Sequence, residues 1–287
     1  MVHLSTPGSD TGFFSTLEVH SHDEPSLHTS RLIALPKGNY KEPPSIAAGF
    51  KLLDLSRDYP LRASINISDI TTSQLKVGVD SNYGMVKEAA VQWLEHKTTA
   101  KECQSGSFDT QNENWTLRVR EAQKEIRFAI PFKVQPEVIV WFNRVDLDVD
   151  QAFYRLSARA TNVSTTGFTA HLDTWGDSTF SGAGLTWIAF PKTKPKVASG
   201  TIGTSEVRSF FSTPEQENFG EVAFAQPFLG KPTVLIALNM FDIKGGTDLR
   251  IKVEAVKITK KGFKWGLHTW EDTKMVAASA SWIALGF

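Results

Sequence analysis

Apolar and polar positions alternate along most of the chain, with the two-residue period of β-strands that bury one face and wet the other. In one segment Arg155, Ser157 and Arg159 alternate with apolar neighbours, and the segment around Arg250 repeats the pattern. Turn phrases with glycine, such as TTGF and KKGF, follow these segments, as hairpins require. The pattern therefore predicts an all-β protein.

One segment, MVKEAAVQWLEHK at residues 85–97, also fits a helix, because Met85, Ala89 and Trp93 stand at helical spacing. Its counterparts, FSGAGLTWIAF and MVAASASWIALGF, contain glycines and serines that suit a helix poorly. We therefore predict strands in all three places.

The chain repeats itself three times. A tryptophan recurs in similar phrases at intervals of 94 and 95 residues, at Trp93, Trp187 and Trp282. An arginine on a predicted strand precedes each tryptophan by 31, 32 and 32 residues, at Arg62, Arg155 and Arg250. An aspartate closes an apolar strand ten residues after a proline in each unit, at Asp54, Asp146 and Asp242. Markers in a fixed order indicate three copies of one unit.

We divide the chain into repeat 1 (11–97), repeat 2 (105–191) and repeat 3 (200–287), with linkers at 97–105 and 191–200. A unit of about 90 residues with roughly six short strands has the size of a small antiparallel sandwich. The three recurring tryptophans are assigned to the core. We therefore expect no separate catalytic domain.

Composition excludes several classes of function. The 31 basic and 31 acidic residues balance, so no electrostatic field draws the chain to nucleic acid or an anionic membrane. The single cysteine, Cys103, excludes an intramolecular disulfide framework. No stretch approaches 18 apolar residues and the N-terminus lacks the pattern of a signal peptide. We expect no transmembrane segment, and a cytosolic protein or one secreted without a classical signal peptide.

Motifs of catalysis are missing from the sequence. It contains no G-x-S-x-G, Walker-type loop, H-E-x-x-H or G-x-G-x-x-G. His20, His22 and His28 could share a metal, but a solvated loop is the simpler interpretation. We expect no enzyme activity, no cofactor and no metal site.

The series F-x-x-P-F, P-x-V, L-D, an L-R strand, N-V-S-x-T-G-F, T-W and S-W-I resembles the H-type lectin domain, and repeat 2 fits best. The resemblance implies six-stranded antiparallel sandwiches that bind galactose-type sugars, in many members N-acetylgalactosamine. In that family three domains pack around a threefold axis with each sugar at a junction. Three tandem repeats would then form an intramolecular pseudo-trimer.

The resemblance also implies site residues. The sugar-binding arginine maps to Arg62, Arg155 and Arg250, and the aromatic platform to Trp175, Trp270 and, in repeat 1, Asn82 or Tyr83. Gly176 and Glu271 stand where snail agglutinins have a histidine, which suggests altered specificity. A small polar loop maps to Asp23 in repeat 1 and to Ser212 and Thr213 in repeat 3, with Thr116 as the nearest candidate in repeat 2. The alternative is that the arginines are ordinary outward side chains and that Trp175 and Trp270 are ordinary packing residues.

The first hypothesis is a non-catalytic lectin that binds galactose-type glycans of glycoproteins or glycolipids at up to three sites between repeats. A structural or adhesion module that kept the sandwich and lost the sugar is the rival, since fold does not fix function. A glycosidase would be the third class, and we expect no turnover. The sequence is compatible with assembly into a homo-oligomer.

Overall fold

A computed structural model describes residues 9–100, 102–110 and 118–286, and within them the chain is almost entirely β. Repeat 1 forms β1 (Ser9–Ser15), β2 (His28–Ala34), β3 (Ser45–Leu55), β4 (Leu61–Ser68), β5 (Gln74–Asp80) and β6 (Val86–His96). Repeat 2 forms β7 (Gln104–Asp109), β8 (Glu121–Arg127), β9 (Pro136–Leu147), β10 (Phe153–Thr161), β11 (Gly167–Asp173) and β12 (Gly182–Pro191). Repeat 3 forms β13 (Val197–Gly203), β14 (Glu217–Ala223), β15 (Thr233–Lys244), β16 (Leu249–Thr259), β17 (Gly262–His268) and β18 (Met275–Leu285). Short 3-10 turns lie at Thr16–Glu18 and Thr204–Glu206.

Each of the three six-stranded sheets is shared by two repeats. The strand orders are β1-β6-β3-β16-β17-β14, β13-β18-β15-β10-β11-β8 and β2-β5-β4-β9-β12-β7. The repeats meet where β4 pairs with β9 (junction 1), β10 with β15 (junction 2) and β16 with β3 (junction 3), always antiparallel. Repeat 1 thus joins repeat 2, repeat 2 joins repeat 3, and repeat 3 joins repeat 1. A pseudo-trimer requires such a cycle, and its threefold axis stays a prediction.

The two halves of a repeat lie in different sheets and pack face to face. Phe168 of β11 meets Trp187 of β12 with ring centroids 5.5 Å apart, and Phe263 of β17 meets Trp282 of β18 at 5.3 Å. The three recurring tryptophans are 1%, 7% and 6% exposed, which confirms their assignment to the core. Residues 85–97 contain β6, so the strand prediction is confirmed there.

A glycine faces each core tryptophan, a marker that the sequence search did not find. Gly12, Gly106 and Gly200 lie directly across the strand pair from Trp93, Trp187 and Trp282. A Cβ atom at Gly106 would lie 2.8 Å from the Trp187 ring, closer than side chains pack. The edge strand of each repeat therefore needs glycine to cover the indole.

The predicted linkers are shorter in the structure. Residues 197–200 belong to β13, where Val197 pairs with Leu285, and β7 already begins at Gln104. The linker at 191–200 was predicted because its sequence, PKTKPKVASG, has the composition of a loop. Cross-strand pairing outweighs that local composition.

Residues of all three repeats meet in a second, central core: Ala47, Leu94, Ile139, Trp141, Ile188, Phe190, Leu235, Ala237, Ile283 and Leu285. Trp141 is fully buried, and its indole N–H donates to the Ser281 carbonyl at 2.8 Å. The space for this ring comes from small neighbours, since a Cβ at Gly49 would lie 2.5 Å from the Trp141 Cβ. The large Trp141 side chain and the small residues Gly49 and Ala237 therefore lie together at the centre.

No helix in the described part of the chain is long and apolar enough to cross a membrane.

Candidate functional site at the repeat junctions

Each junction pairs the recurring arginine of one repeat with the recurring aspartate of the next. The strand register sets Arg62 opposite Asp146, Arg155 opposite Asp242, and Arg250 opposite Asp54. The shortest distances from the arginine Nε to a carboxylate oxygen are 2.7, 3.2 and 3.7 Å. Two of the three markers found in the sequence thus form the contact that joins the repeats.

The aspartates of these pairs are at most 2% exposed. Burial raises the pKa of all three carboxyl groups, because a charge loses its hydration, and the facing arginine acts in the opposite direction. The arginines therefore stabilise buried carboxylates where two repeats meet, whether or not they also bind a ligand.

At junction 2, Arg155 keeps part of its guanidinium unoccupied. The group lies over the Phe153 ring, 4.0 Å from the ring centroid. Its Nη1 donates to the Trp175 carbonyl at 3.4 Å and to Asp177 Oδ1 at 3.1 Å. Its Nη2 has no hydrogen-bond acceptor among the residues that the structure describes. A ligand oxygen can therefore accept from this nitrogen.

A cavity of about 540 Å³ opens on the wet face of β8, β10 and β11, and it is lined in part by Trp175, whose carbonyl accepts from Arg155. Its lining is polar apart from one half-buried indole: Glu121, Gln123, Ser157, Arg159, His171, Asp173, Thr174 and Trp175. Arg159 is held by Asp173 at 2.9 Å, and His171 Nε2 lies 2.7 Å from the Thr161 hydroxyl. Burial lowers the pKa of His171, which favours the neutral ring. The cavity offers donors and acceptors beside an aromatic wall, as a sugar requires.

At junction 3, carboxylates surround Arg250. Asp272 Oδ1 lies 2.7 Å from Nη1, and Asp248 Oδ2 and Glu271 Oε2 both lie 2.7 Å from Nη2. The Thr273 hydroxyl accepts a further bond from Nη1 at 3.3 Å. Acidic side chains of the protein thus already accept from the Arg250 N–H groups that a ligand would need.

The sheet face beside Arg250 is also closed. Lys252 and His268 form the cross-strand pair equivalent to Ser157 and Asp173. Lys252 pairs with Glu254 at 2.8 Å, and the His268 ring packs against Phe219 at 5.1 Å. Trp270, the predicted platform, is half-buried next to this filled surface.

The residue two positions before each arginine helps to set this difference, and the sequence search did not select it. Phe153 supports the Arg155 guanidinium, whereas Asp248 neutralises Arg250 and also binds Lys87 Nζ at 2.8 Å. Comparing the flanks of the aligned arginines would have shown this change from an aromatic ring to a carboxylate.

The loop with Asp23 reaches junction 3 from repeat 1. His22 Nε2 lies 3.1 Å from Asp54 Oδ2, and its Nδ1 lies 3.6 Å from Asp23 Oδ1. The Asp54 hydrogen bond is the largest effect on the pKa of His22 and raises it. His28 binds Asp80 instead, at 3.1 Å, so the neighbouring histidines do not converge. Among the described residues no cluster of histidine, cysteine or acidic side chains could hold a metal ion.

The structure aligns Phe211, not Ser212, with Asp23. The turns at Thr16–Glu18 and Thr204–Glu206 are equivalent, since each threonine hydroxyl accepts from a backbone N–H of the last strand of its repeat. Asp23 and Phe211 both stand seven residues after that threonine. Phe211 is 93% exposed, whereas the Ser212 hydroxyl donates to the Ser209 carbonyl at 2.7 Å. Thr116 lies outside the described residues.

Junction 1 is shallow. Arg62 Nη1 donates to the Asn82 carbonyl at 3.3 Å, in place of the bond between Arg155 and Trp175. Asn82 is exposed, and Tyr83 is 81% exposed with a left-handed backbone, φ 63°. The cavity beside Arg62 measures about 30 Å³, and the Asp80 carboxylate there already accepts from Asn66 at 2.9 Å.

The H-type lectin domain model matches the chain three times, at residues 37–94, 123–190 and 220–285, which together make up more than half of it. The chain belongs to the H-type lectin domain family. The three matches agree with three tandem repeats, so this resemblance is confirmed. The family binds carbohydrate without catalysis, which is consistent with a protein that is not an enzyme.

A relative from Fuscovulum blasticum, named "ATP synthase subunits region ORF 7", is 36% identical over 66 residues. The match covers 23% of this H-type lectin chain and 57% of the relative. The chain thus spans little more than half the length of that relative.

Proposed function

We propose that this protein is a lectin for galactose-type or N-acetylgalactosamine-type glycans, with its principal site at junction 2. The observation that carries the proposal is the polar cavity beside Trp175 together with the unoccupied Nη2 of Arg155. A galactose-type sugar has an apolar C–H face for the indole and hydroxyl groups for the guanidinium and the lining side chains. The ligand is uncharged, in keeping with a chain of zero net charge.

Junction 1 serves as a weaker second site in this proposal, with Arg62 and the exposed Tyr83 as its contacts. Junction 3 is closed by Glu271, Asp272 and Asp248. Two unequal sites on one rigid chain strengthen binding to clustered glycans through effective concentration. Gly176 gives no side chain next to Trp175, so specificity rests on Asp173, Ser157 and their neighbours.

The rival function is a structural or adhesion module without sugar binding, which closure of junction 3 favours. A glycan array with the parent protein separates the two functions, and any bound glycan is then titrated by calorimetry. Trp175→Ala should weaken binding about tenfold, or about 1.4 kcal/mol, through loss of the apolar platform. The matched variant Trp270→Ala should leave the affinity unchanged.

Absence of every glycan from the parent protein's hits would refute the lectin and favour the adhesion module. Equal affinity of the parent and Trp175→Ala would refute the site at junction 2. Hydrolysis of nitrophenyl glycosides by the purified protein would contradict a non-catalytic function.

A further inference from the structure

A groove lined mainly by repeat 3 lies away from the junction arginines. A cavity of about 600 Å³ runs between the segment that joins β12 to β13 and the turn after β14. Buried aromatic rings form its floor, namely Phe190, Phe224 and Trp282, and Leu229 stands on its rim with 89% of its surface exposed. Its volume falls within the range of small-molecule sites.

Repeat 2 has the same aromatic framework but closes it. Phe128 lies 4.9 Å from Phe132 and 5.9 Å from Trp187, and the corresponding rings of repeat 3 stand at the same two distances. In repeat 2 the Gln104 side chain crosses the opening. Its amide donates to the Ile130 carbonyl at 2.6 Å and accepts from the Ile130 N–H at 3.2 Å.

Ala198 replaces Gln104 in repeat 3. Both residues stand two positions before the glycine that faces the core tryptophan, Gly106 or Gly200. Gln226 takes the place of Ile130, because each follows the first phenylalanine of its repeat's F-x-x-P phrase by two residues. The bridge is therefore missing in repeat 3, and both Ala198 and Gln226 line the cavity.

The rim of the groove is cationic. Lys192, Lys194 and Lys196 line it against a single acidic side chain, Glu137. Lys192 pairs with Glu137 at 3.2 Å and Lys194 with Glu102 at 3.0 Å. No carboxylate of the described residues pairs with Lys196, whose backbone carbonyl is anchored by the Gly286 N–H at 2.7 Å. An apolar floor below this rim suits a molecule with an apolar body and one negative charge.

We propose that this groove binds a small amphiphilic anion, a carboxylate or other acid on an aromatic-ring or medium-length acyl body. The apolar body covers Phe190, Phe224 and Trp282, which the missing glutamine leaves accessible. The acid group meets Lys196. This site is separate from the sugar site at junction 2, so either can fail without the other.

The test titrates the intact chain with anilinonaphthalene sulfonate, a fluorescent anion with an apolar ring system, and with the neutral phenylnaphthylamine. Ala198→Gln restores the bridge of repeat 2 and should weaken binding of both probes at least about tenfold. Lys196→Gln should weaken the anion about threefold or more and leave the neutral probe unchanged. Decanoate should displace the sulfonate from the parent protein.

Phe211→Ser is the control, since its ring is 93% exposed and could hold an aromatic probe at the surface, and it should change neither affinity. Thermal unfolding identifies any variant that fails to fold. Failure of the parent protein to bind the sulfonate, or equal affinity of the parent and a folded Ala198→Gln, would overturn the site. Equal effects of Lys196→Gln on both probes would overturn its preference for anions.

Discussion

Junctions 2 and 3 use the same strand pairing and the same arginine, but they leave that arginine in opposite states. Arg155 meets the carboxylates of Asp242 and Asp177 and keeps Nη2 unoccupied by the described residues. Arg250 meets four carboxylates, of Asp54, Asp248, Glu271 and Asp272.

The difference comes from two substitutions between the repeats. Phe153 is replaced by Asp248, and Gly176 by Glu271. Neither substitution touches the backbone pairing that joins the repeats. A junction can therefore close to ligands and still hold the chain together, so a repeated motif does not by itself mean a repeated site.

The largest expected effect is on stability. Arg250→Ala leaves the buried carboxylates of Asp54 and Asp248 with only His22 and Lys87 as cationic partners, and we expect a loss of about 3–5 kcal/mol in the free energy of unfolding. Arg155→Ala should cost less, because only Asp242 is left buried without a cation. Urea unfolding of both variants measures the difference. A smaller loss for Arg250→Ala than for Arg155→Ala would contradict the comparison.

A side chain at Gly176 should close junction 2. Any Cβ there would collide with Arg155 Nη1, and Gly176→Glu would bring a carboxylate to the free guanidinium nitrogen. We expect glycan affinity to fall about tenfold or more. The backbone at Gly176 is left-handed, φ 66°, so about 1 kcal/mol of stability is lost as well.

Gly38→Glu is the matched control for that variant. Gly38 is also left-handed, φ 83°, but a Cβ there meets nothing within 4 Å. It should show the same backbone cost in urea unfolding and unchanged glycan affinity. Retained glycan binding by Gly176→Glu would show that Arg155 is not a ligand contact.

The reverse change should open junction 3. Glu271→Gly alone leaves Asp248 on Nη2, so we expect no gain of binding. The double variant Glu271→Gly with Asp248→Phe copies junction 2 and should bind one further sugar per chain, with lower affinity than junction 2 because Lys252 and His268 fill the adjacent face. Calorimetric stoichiometry measures the gain. An unchanged stoichiometry in a folded double variant would mean that these two residues do not decide access.

The smallest expected effect is a pH dependence of the stability that His22 contributes at junction 3. Asp54 raises the pKa of His22, with a further contribution from Asp23, while Asp54 itself also faces Arg250 and Lys87. A histidine with a raised pKa adds stability that is complete below its unfolded value of 6.5 and is lost as pH rises through the folded value. His22 is 44% exposed, so the contribution after solvent screening stays under about 1 kcal/mol.

Urea unfolding of the parent protein and His22→Gln checks this dependence. The parent should lose more stability between pH 6 and pH 8 than the variant. The raised pKa of Asp146 and Asp242 affects both proteins alike and cancels in the comparison. Parallel curves would show that His22 does not contribute to junction 3.

Most of the fold was predictable from the sequence. The period-two pattern, the recurring tryptophans and the glycines in the turns rest on local backbone and burial preferences that any strand of this kind obeys. The start of β13 was missed because Val197 and its neighbours have a loop-like composition and become a strand only by pairing with Leu285 and its neighbours.

The candidate site was predictable only in part. The resemblance selected Arg155 and Trp175; Trp175 lines the cavity at junction 2, and its carbonyl accepts from Arg155. It also selected Ser212, whereas the structure aligns Phe211 with Asp23. The role of Phe153 was missed, since a comparison of the repeats can single out the residue, but only the structure shows that the Arg155 guanidinium lies over its ring.

The sequence by itself determined that there are three copies of one β unit and where the core tryptophan of each falls, because these depend on the order of apolar and polar residues along a strand. Only the tertiary structure decided which repeats share a sheet and which aspartate meets which arginine. It also decided which guanidinium keeps a free nitrogen. Those outcomes depend on side chains that are distant in sequence and meet only when the cycle of three sheets is complete.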